Sequence, residues 1–124
     1  MSQLTLSTFI SAVLFLSGAA VCAGEADVVE VEARHLGEGR FQFDVTLLHR
    51  DEGWDHYADK WDILTPEGKL LGTRTLYHPH VNEQPFTRSL SPVNIPRGVS
   101  TVRVRAHDSR HAYGGKEAEV KITR

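Results

Sequence analysis

The sequence contains one cysteine and one methionine, and both lie within residues 1–23, as Cys22 and Met1. The remainder of the chain therefore has no thiolate nucleophile, no disulfide and no soft sulfur ligand for Cu(I). A domain without disulfides must be stabilised by its hydrophobic core. These absences exclude cysteine catalysis and thiolate metal sites from the functions to be considered.

Charged side chains are missing from residues 1–23, which contain a long run of apolar and small residues. This pattern is typical of a secretory signal peptide, with cleavage expected between Ala23 and Gly24. The run is short for a membrane-spanning helix, which needs about 20 apolar residues. We therefore predict a signal peptide over 1–23 and one domain over 24–124, periplasmic or secreted and not membrane-inserted after cleavage. An uncleaved anchor and a lipoprotein processed at Cys22 are the alternatives.

Apolar and polar residues alternate with period two along 24–124, and this alternation predicts seven β-strands. In the first strand, Val29, Val31 and Ala33 are expected to face the core. The third strand presents Trp61 to the core, and Pro92 in the fifth predicts an edge strand. No segment shows a helical period. The predicted strands are 27–34, 40–48, 60–64, 69–76, 87–95, 100–107 and a last strand after 114–115.

Seven short strands with a core tryptophan on the third resemble an immunoglobulin-like or fibronectin type III-like sandwich. The resemblance implies an all-β fold of two antiparallel sheets, here without the paired cysteines of antibody domains. Because this fold hosts many unrelated functions, the function has to be inferred from a site.

Successive strands of such a sandwich run in opposite directions, so the connections between them alternate between two poles. With the seven strands lettered A, B, C, C′, E, F and G in chain order, the AB, CC′ and EF connections are short turns at one pole. They lie around residues 37–39, 66–68 and 96–98. The BC, C′E and FG connections share the other pole, are longer, and span residues 49–59, 77–86 and 107–115.

Six of the seven histidines lie in these three longer connections, and His35 alone lies at the opposite end. Neutral imidazole is a good ligand for Zn(II) and Cu(II), and carboxylates complete such sites or orient the rings from behind. The sequence therefore predicts a Cu(II) or Zn(II) site without choosing among its candidate ligands. These are His49, His56, His78, His80, His107 and His111, with Asp51, Asp55, Glu83 and Asp108 as possible carboxylates of the second shell.

Local patterns refine this prediction. His78 and His80 flank a proline, and in an extended segment residues i and i+2 point the same way. His107 has the outward parity of Arg103 and Arg105 on the sixth predicted strand. The alternative is that the loop histidines are ordinary solvated side chains and that the loop aspartates cap turns.

Other functions have less support in the sequence. With 14 basic and 16 acidic residues the net charge is −2, which does not favour nucleic acid or an anionic membrane surface as a partner. The sequence has no Gly-x-Ser-x-Gly nucleophile motif and no phosphate-binding glycine loop before a helix. A small sandwich also offers little concavity. We therefore expect no enzymatic activity.

A non-enzymatic interaction module of the cell envelope is the second functional hypothesis, with an envelope protein as the partner. Trp54, Tyr57, Tyr77 and Tyr113 are side chains of the kind enriched in contact surfaces. Imidazole nitrogens from two connections within about 4–5 Å of each other would favour the metal site instead.

The segment from His49 to Trp61, followed by LYHPHVNEQPFTRSL, resembles a family of small exported bacterial proteins that has no established activity to transfer. This resemblance implies the compartment and the sandwich fold. The periplasmic copper-resistance proteins of the C type offer a functional analogy, since they are small β-sandwiches that use His and Asp for Cu(II). The sequence departs from them because residues 24–27 contain no histidine and the methionine-rich Cu(I) site is absent.

Overall fold

A computed structural model describes residues 24–124. The predicted signal peptide, its cleavage site and Cys22 lie in or at the edge of the part of the chain that is not described. The described residues form seven strands and no helix. Their bounds are β1 Asp27–Gly37, β2 Arg40–Leu48, β3 Ala58–Leu64, β4 Leu70–Thr75, β5 Phe86–Asn94, β6 Thr101–Asp108 and β7 Ala118–Lys121.

The strands form two antiparallel sheets that pack face to face. One sheet has the order β1-β2-β5 and the other the order β4-β3-β6-β7. This arrangement confirms the predicted seven-stranded sandwich and is consistent with an immunoglobulin-like fold. β5, which contains Pro92, is an edge strand as predicted.

The core lies between the inner faces of the two sheets. Trp61, Phe41 and Phe43 are fully buried there, and Phe86 closes the core next to the C′E connection. The alternation of β2 and β6 between buried and partly exposed positions matches the period of an antiparallel strand with one face on the core.

The first strand departs from the predicted alternation. Its register shifts between Val28 and Glu30, so that Val28 is buried whereas Val29 is 46% exposed. The prediction that Val29 faces the core is therefore wrong, because a bulge inserts one residue and reverses the parity at that point. Val31 and Ala33 pack against the core, as expected.

The BC, C′E and FG connections lie together at one pole. The N–H of His49, at the start of the BC connection, donates to Gln84 Oε1 at 2.9 Å, and the N–H of Ser109 donates to the carbonyl of Tyr57 at 2.9 Å. The alternating direction of the strands thus brings together connections that are remote in sequence. Within residues 24–124, no helix is long and apolar enough to span a bilayer.

Candidate metal centre

The alternation of β2 continues beyond the end of the strand and places two polar residues in the interior. After Val45 and Leu47, the next residues with inward parity are His49 and Asp51, and both are buried. Asp51 accepts hydrogen bonds from the N–H groups of Ala58, at 3.1 Å, and His80, at 2.6 Å. Its other partner is Nδ1 of His49. Asp51 therefore fixes the orientation of the His49 ring and links the BC and C′E connections.

Asp108 plays the corresponding part at the end of β6. It follows Val104 and Ala106 in inward parity and is fully buried. Its Oδ1 accepts the N–H groups of Arg110 and His111 at 2.6 and 2.8 Å, which is the hydrogen bonding of an Asx turn. The turn leaves Oδ2 directed toward the BC connection.

His56 approaches the same carboxylate oxygen from the BC connection. Its Nε2 lies 2.8 Å from Asp108 Oδ2, which also contacts Nε2 of His49. The two imidazole rings meet edge to face, with centroids 4.9 Å apart. A tight turn, in which the N–H of Glu52 donates to the carbonyl of His56 at 2.8 Å, holds the backbone of this loop.

One donor atom from each of His49, His56 and Asp108 can be chosen so that all three lie within 4.8 Å of one another. Each imidazole also has a carboxylate behind it, since Asp51 contacts Nδ1 of His49 and Glu52 Oε1 lies 2.7 Å from Nδ1 of His56. Carboxylates in this position fix the orientation of metal-ligating histidines and raise the basicity of the donor nitrogen. The three residues form a buried group that could hold a metal ion.

The electrostatics of the group keep its carboxylates ionised. Burial alone would raise the pKa of Asp108, but the N–H groups of His111 and Arg110 and the His49 ring outweigh it and lower the pKa to about 2. Burial likewise opposes ionisation of Asp51, yet the hydrogen bonds from His49, His80 and Ala58 lower its pKa. Two negative charges are therefore present in the buried site at neutral pH.

The imidazoles respond in the opposite direction. Burial lowers the pKa of His49, but its hydrogen bonds to Asp51 and Asp108 have the larger combined effect and raise it above the ordinary value. The hydrogen bond to Glu52 is the main cause that raises the pKa of His56. Both rings thus lie where the charged form of imidazole is favoured.

Two further predicted histidines lie next to this group. His111 is at its rim, with Nδ1 3.4 Å from Asp108 Oδ1 and a side chain that is 40% exposed. His80 is buried behind Asp51, and its ring stacks on Phe86 at a centroid distance of 4.1 Å. Burial is the main cause that lowers the pKa of His80 and thereby favours its neutral form.

The remaining predicted residues are not brought into the group. His78 is exposed and its Nδ1 lies 3.1 Å from the carbonyl of Pro79, while His107 pairs with Asp59 at 2.6 Å on the outer face of the four-stranded sheet. Asp55 is exposed, and Glu83 forms an exposed ion pair at 3.1 Å with Arg88.

Sequence reasoning missed two contributors and placed one differently. Glu52 and the carbonyl of Gly24 both contact the imidazoles, and no periodicity or motif singles them out. Asp108, predicted as a second-shell carboxylate, faces both imidazoles directly. The sequence did contain a signal that places two of these residues. Continuing the alternation of β2 and β6 by one step assigns His49 and Asp108 to the inner face.

Comparisons with known proteins give one informative similarity. The chain is 46% identical over 92 residues to a protein of Halomicrobium mukohataei named "Putative lipoprotein". The match covers 74% of this chain and 45% of that protein, so the chain spans less than half the length of its relative. No family model and no solved structure matches the chain.

Proposed function

We propose that the protein binds one divalent cation, Cu(II) or Zn(II), at the pole formed by the BC and FG connections, and that it serves as a binder or carrier without chemistry of its own. The ligands are Nε2 of His49, Nε2 of His56 and Oδ2 of Asp108. Asp51 and Glu52 orient the two rings.

One observation carries this proposal: two buried imidazoles direct Nε2 at the same carboxylate oxygen, while each Nδ1 meets a carboxylate of its own. An ionised carboxylate can only accept hydrogen bonds, so every such contact requires a proton or a cation between the two atoms. A divalent cation replaces the two Nε2 protons without changing the total charge of the group. The buried carboxylates thereby favour cation binding with little rearrangement of charge.

The spacing of one donor pair is close to what a small cation needs. Donors bound at about 2.1 Å from a metal lie roughly 3.0–3.5 Å from each other in square-planar or tetrahedral sites. Nε2 of His56 and Oδ2 of Asp108 are 2.8 Å apart, so these groups have to separate by only a few tenths of an ångström. A mixed set of imidazole and carboxylate donors favours Zn(II) and Cu(II) over Cu(I).

The cellular location of the proposed binder is outside the cytoplasm, in the periplasm, the envelope or the medium. Two observations support this: the signal-like composition of residues 1–23 and the printed name of the relative, which describes a lipoprotein. In such a compartment the protein would bind metal at ambient pH without competing thiols of its own.

Isothermal titration calorimetry with Cu(II) and Zn(II) tests the proposal. We expect one site with a Kd below about 1 μM, since dedicated zinc sites have apparent binding free energies of roughly 10–16 kcal/mol. His56→Gln is expected to weaken binding at least about 100-fold, because it removes a ligand.

His78→Gln is the matched control, because it alters an exposed histidine of the same pole and should change Kd by less than about 3-fold. A wild-type Kd weaker than about 100 μM for both metals, or equal losses in the two variants, would contradict the proposal.

A second candidate function is recognition of an envelope protein by the same pole. It is favoured by exposed apolar side chains there, namely Trp54, Tyr77 and Val81. Under this hypothesis, Trp54→Ala impairs binding of the partner by more than about 10-fold whereas His56→Gln leaves it intact. Crosslinking of the exported protein in its own host, followed by mass spectrometry, would identify the partner needed for this measurement.

A further inference from the structure

The segment immediately before β1 contributes a main-chain atom to the candidate metal centre. The carbonyl oxygen of Gly24 lies 3.1 Å from Nε2 of His49 and 3.1 Å from Nε2 of His56. These are the two nitrogens that also face Asp108 Oδ2. The carbonyl oxygen of Gly24 therefore lies where a fourth ligand could contact a metal held by His49, His56 and Asp108.

This segment is held in place by the chain that follows the FG connection. The N–H of Val28 donates to the carbonyl of Lys116 at 2.8 Å, and the N–H of Lys116 donates to Asp27 Oδ1 at 2.7 Å. Ala26 is buried, and a Cβ at Gly115 would collide with its carbonyl oxygen. The close approach that glycine permits here lets residues 24–27 reach the metal-binding pole.

The residue at position 24 is itself constrained. Gly24 has a φ of +103°, and a Cβ added to it would lie 2.8 Å from Cε1 of His111. Both the backbone conformation and the lack of space favour glycine. A side chain at this position would have to displace either the His111 ring or the Gly24 carbonyl.

We propose that the carbonyl oxygen of Gly24 is a ligand of the bound metal, so that loading fastens residues 24–27 to the pole of the sandwich. This inference rests on the metal site of the proposed function and completes its donor set as two imidazole nitrogens and two oxygens. Such a set suits Cu(II) and Zn(II). Because coupling between two equilibria is reciprocal, metal orders this segment, and freeing the segment weakens metal binding.

Selective isotope labelling observes this carbonyl directly. The sequence contains two Gly-Glu steps, Gly24-Glu25 and Gly37-Glu38, so a chain labelled with carbonyl-¹³C glycine and ¹⁵N glutamate gives two correlation signals in an HNCO spectrum. Gly37 lies at the opposite pole and provides the internal control. On titration of the exported protein with Zn(II), we expect the Gly24 carbonyl signal to shift in step with the ring signals of His49 and His56, while the Gly37 signal stays in place.

A pair of variants supplies the thermodynamic test. Gly24→Ala and Gly37→Ala both place alanine at a φ of +103°, but Gly37 has open space around it. Gly24→Ala is expected to weaken Zn(II) binding about 10-fold or more, and Gly37→Ala less than about 3-fold. His111→Ala should stay within about 3-fold, which separates loss of the carbonyl from displacement of the ring.

The outcomes distinguish the two proposals. If the ring signals of His49 and His56 respond to Zn(II) while the Gly24 carbonyl signal does not move, or if Gly24→Ala binds as tightly as Gly37→Ala, the carbonyl is not a ligand and the three-residue site stands. If the ring signals respond to neither saturating Zn(II) nor saturating Cu(II), the proposed function fails, and the inference fails with it.

Discussion

Two consecutive residues of β6, His107 and Asp108, point to opposite faces of the same sheet and form two contrasting pairings of imidazole with carboxylate. On the outer face, His107 meets Asp59 at 2.6 Å, and both side chains are partly exposed. On the inner face, Asp108 is fully buried against His49 and His56. The same two residue types thus make a surface pair in one case and a buried cluster in the other.

The difference lies in the solvent. Water screens the outer pair, and such pairs typically contribute about 0–1 kcal/mol to stability. The inner cluster loses its hydration and is maintained only because nearly every polar atom has a partner. Strand parity therefore decides which imidazoles can serve as a dedicated binding site, and we expect substitutions on the two faces to differ accordingly.

The largest difference is expected between Asp108→Asn and Asp59→Asn. Asparagine at position 108 can still accept the N–H groups of Arg110 and His111 but presents an amide instead of the second carboxylate oxygen. We expect Zn(II) affinity to fall at least about 100-fold in Asp108→Asn and less than about 3-fold in Asp59→Asn. Calorimetry of the two variants measures both, and similar losses would remove the distinction between the faces.

A smaller difference is expected in stability without metal. Asp51→Ala leaves the buried N–H groups of Ala58 and His80 without their acceptor, which should lower the free energy of unfolding by about 2 kcal/mol. Asp59→Ala, on the outer face, should lower it by less than about 1 kcal/mol. Urea denaturation in the presence of a chelator tests this prediction, which fails if Asp59→Ala is the more damaging change.

The outer face also makes a pH-dependent contribution to the free energy of unfolding. This contribution comes from Asp62. Burial would raise the pKa of this carboxyl, but hydrogen bonds from Tyr113, Thr73 and Arg105 lower it. Because the pKa of Asp62 is lower in the folded state than in the unfolded state, its ionised form stabilises the protein at pH values above the unfolded-state pKa of about 3.9. This stabilisation is lost as the pH falls through the folded-state pKa.

Tyr113→Phe removes one of these bonds, the 2.7 Å contact of the Tyr113 hydroxyl with Asp62. The free energy of unfolding should fall by about 1 kcal/mol at pH 7, with the deficit shrinking as the pH approaches 3. Unfolding curves of wild type and variant between pH 3 and 7 check the sign. A deficit that grows on acidification would contradict this account of Asp62.

The smallest effect concerns Glu52, which orients His56 from an exposed position. Because its side chain is 56% exposed, water can replace the hydrogen bond that Glu52→Gln weakens. We expect Zn(II) affinity to fall about 3-fold, less than the 10- to 100-fold typical of buried second-shell partners. Glu83→Gln, which alters an exposed carboxylate of the same pole, serves as the control and should leave the affinity unchanged.

Much of the fold was accessible from the sequence, because period-two alternation records which side of a strand faces the core. The same rule, extended past Leu47 and Ala106, assigns His49 and Asp108 to the interior. It fails at Val29, where a bulge reverses the parity. Residues 76–85 are not a strand, yet the rings of His78 and His80 lie side by side with centroids 4.8 Å apart, although only His80 is buried.

Other parts of the site depend on contacts that no local pattern encodes. Glu52 reaches His56 because a tight turn of the BC connection brings them together, and Gly24 reaches both imidazoles because of packing against residues 114–116. Such positions are determined by the assembled tertiary structure. The sequence therefore predicted the pole of the sandwich and the types of residue at the site. Which of these residues lie together could be seen only in the folded chain.

The candidate metal centre joins the two layers of the sandwich, because His49 follows β2 of one sheet and Asp108 ends β6 of the other. A cation held between them would act as a cross-link in a domain whose described residues contain no disulfide. Peeling one layer from the other would first require breaking metal–ligand bonds. The temperature or the force needed to unfold the domain should therefore rise with metal occupancy. The metal would then do for this domain what a disulfide does for others.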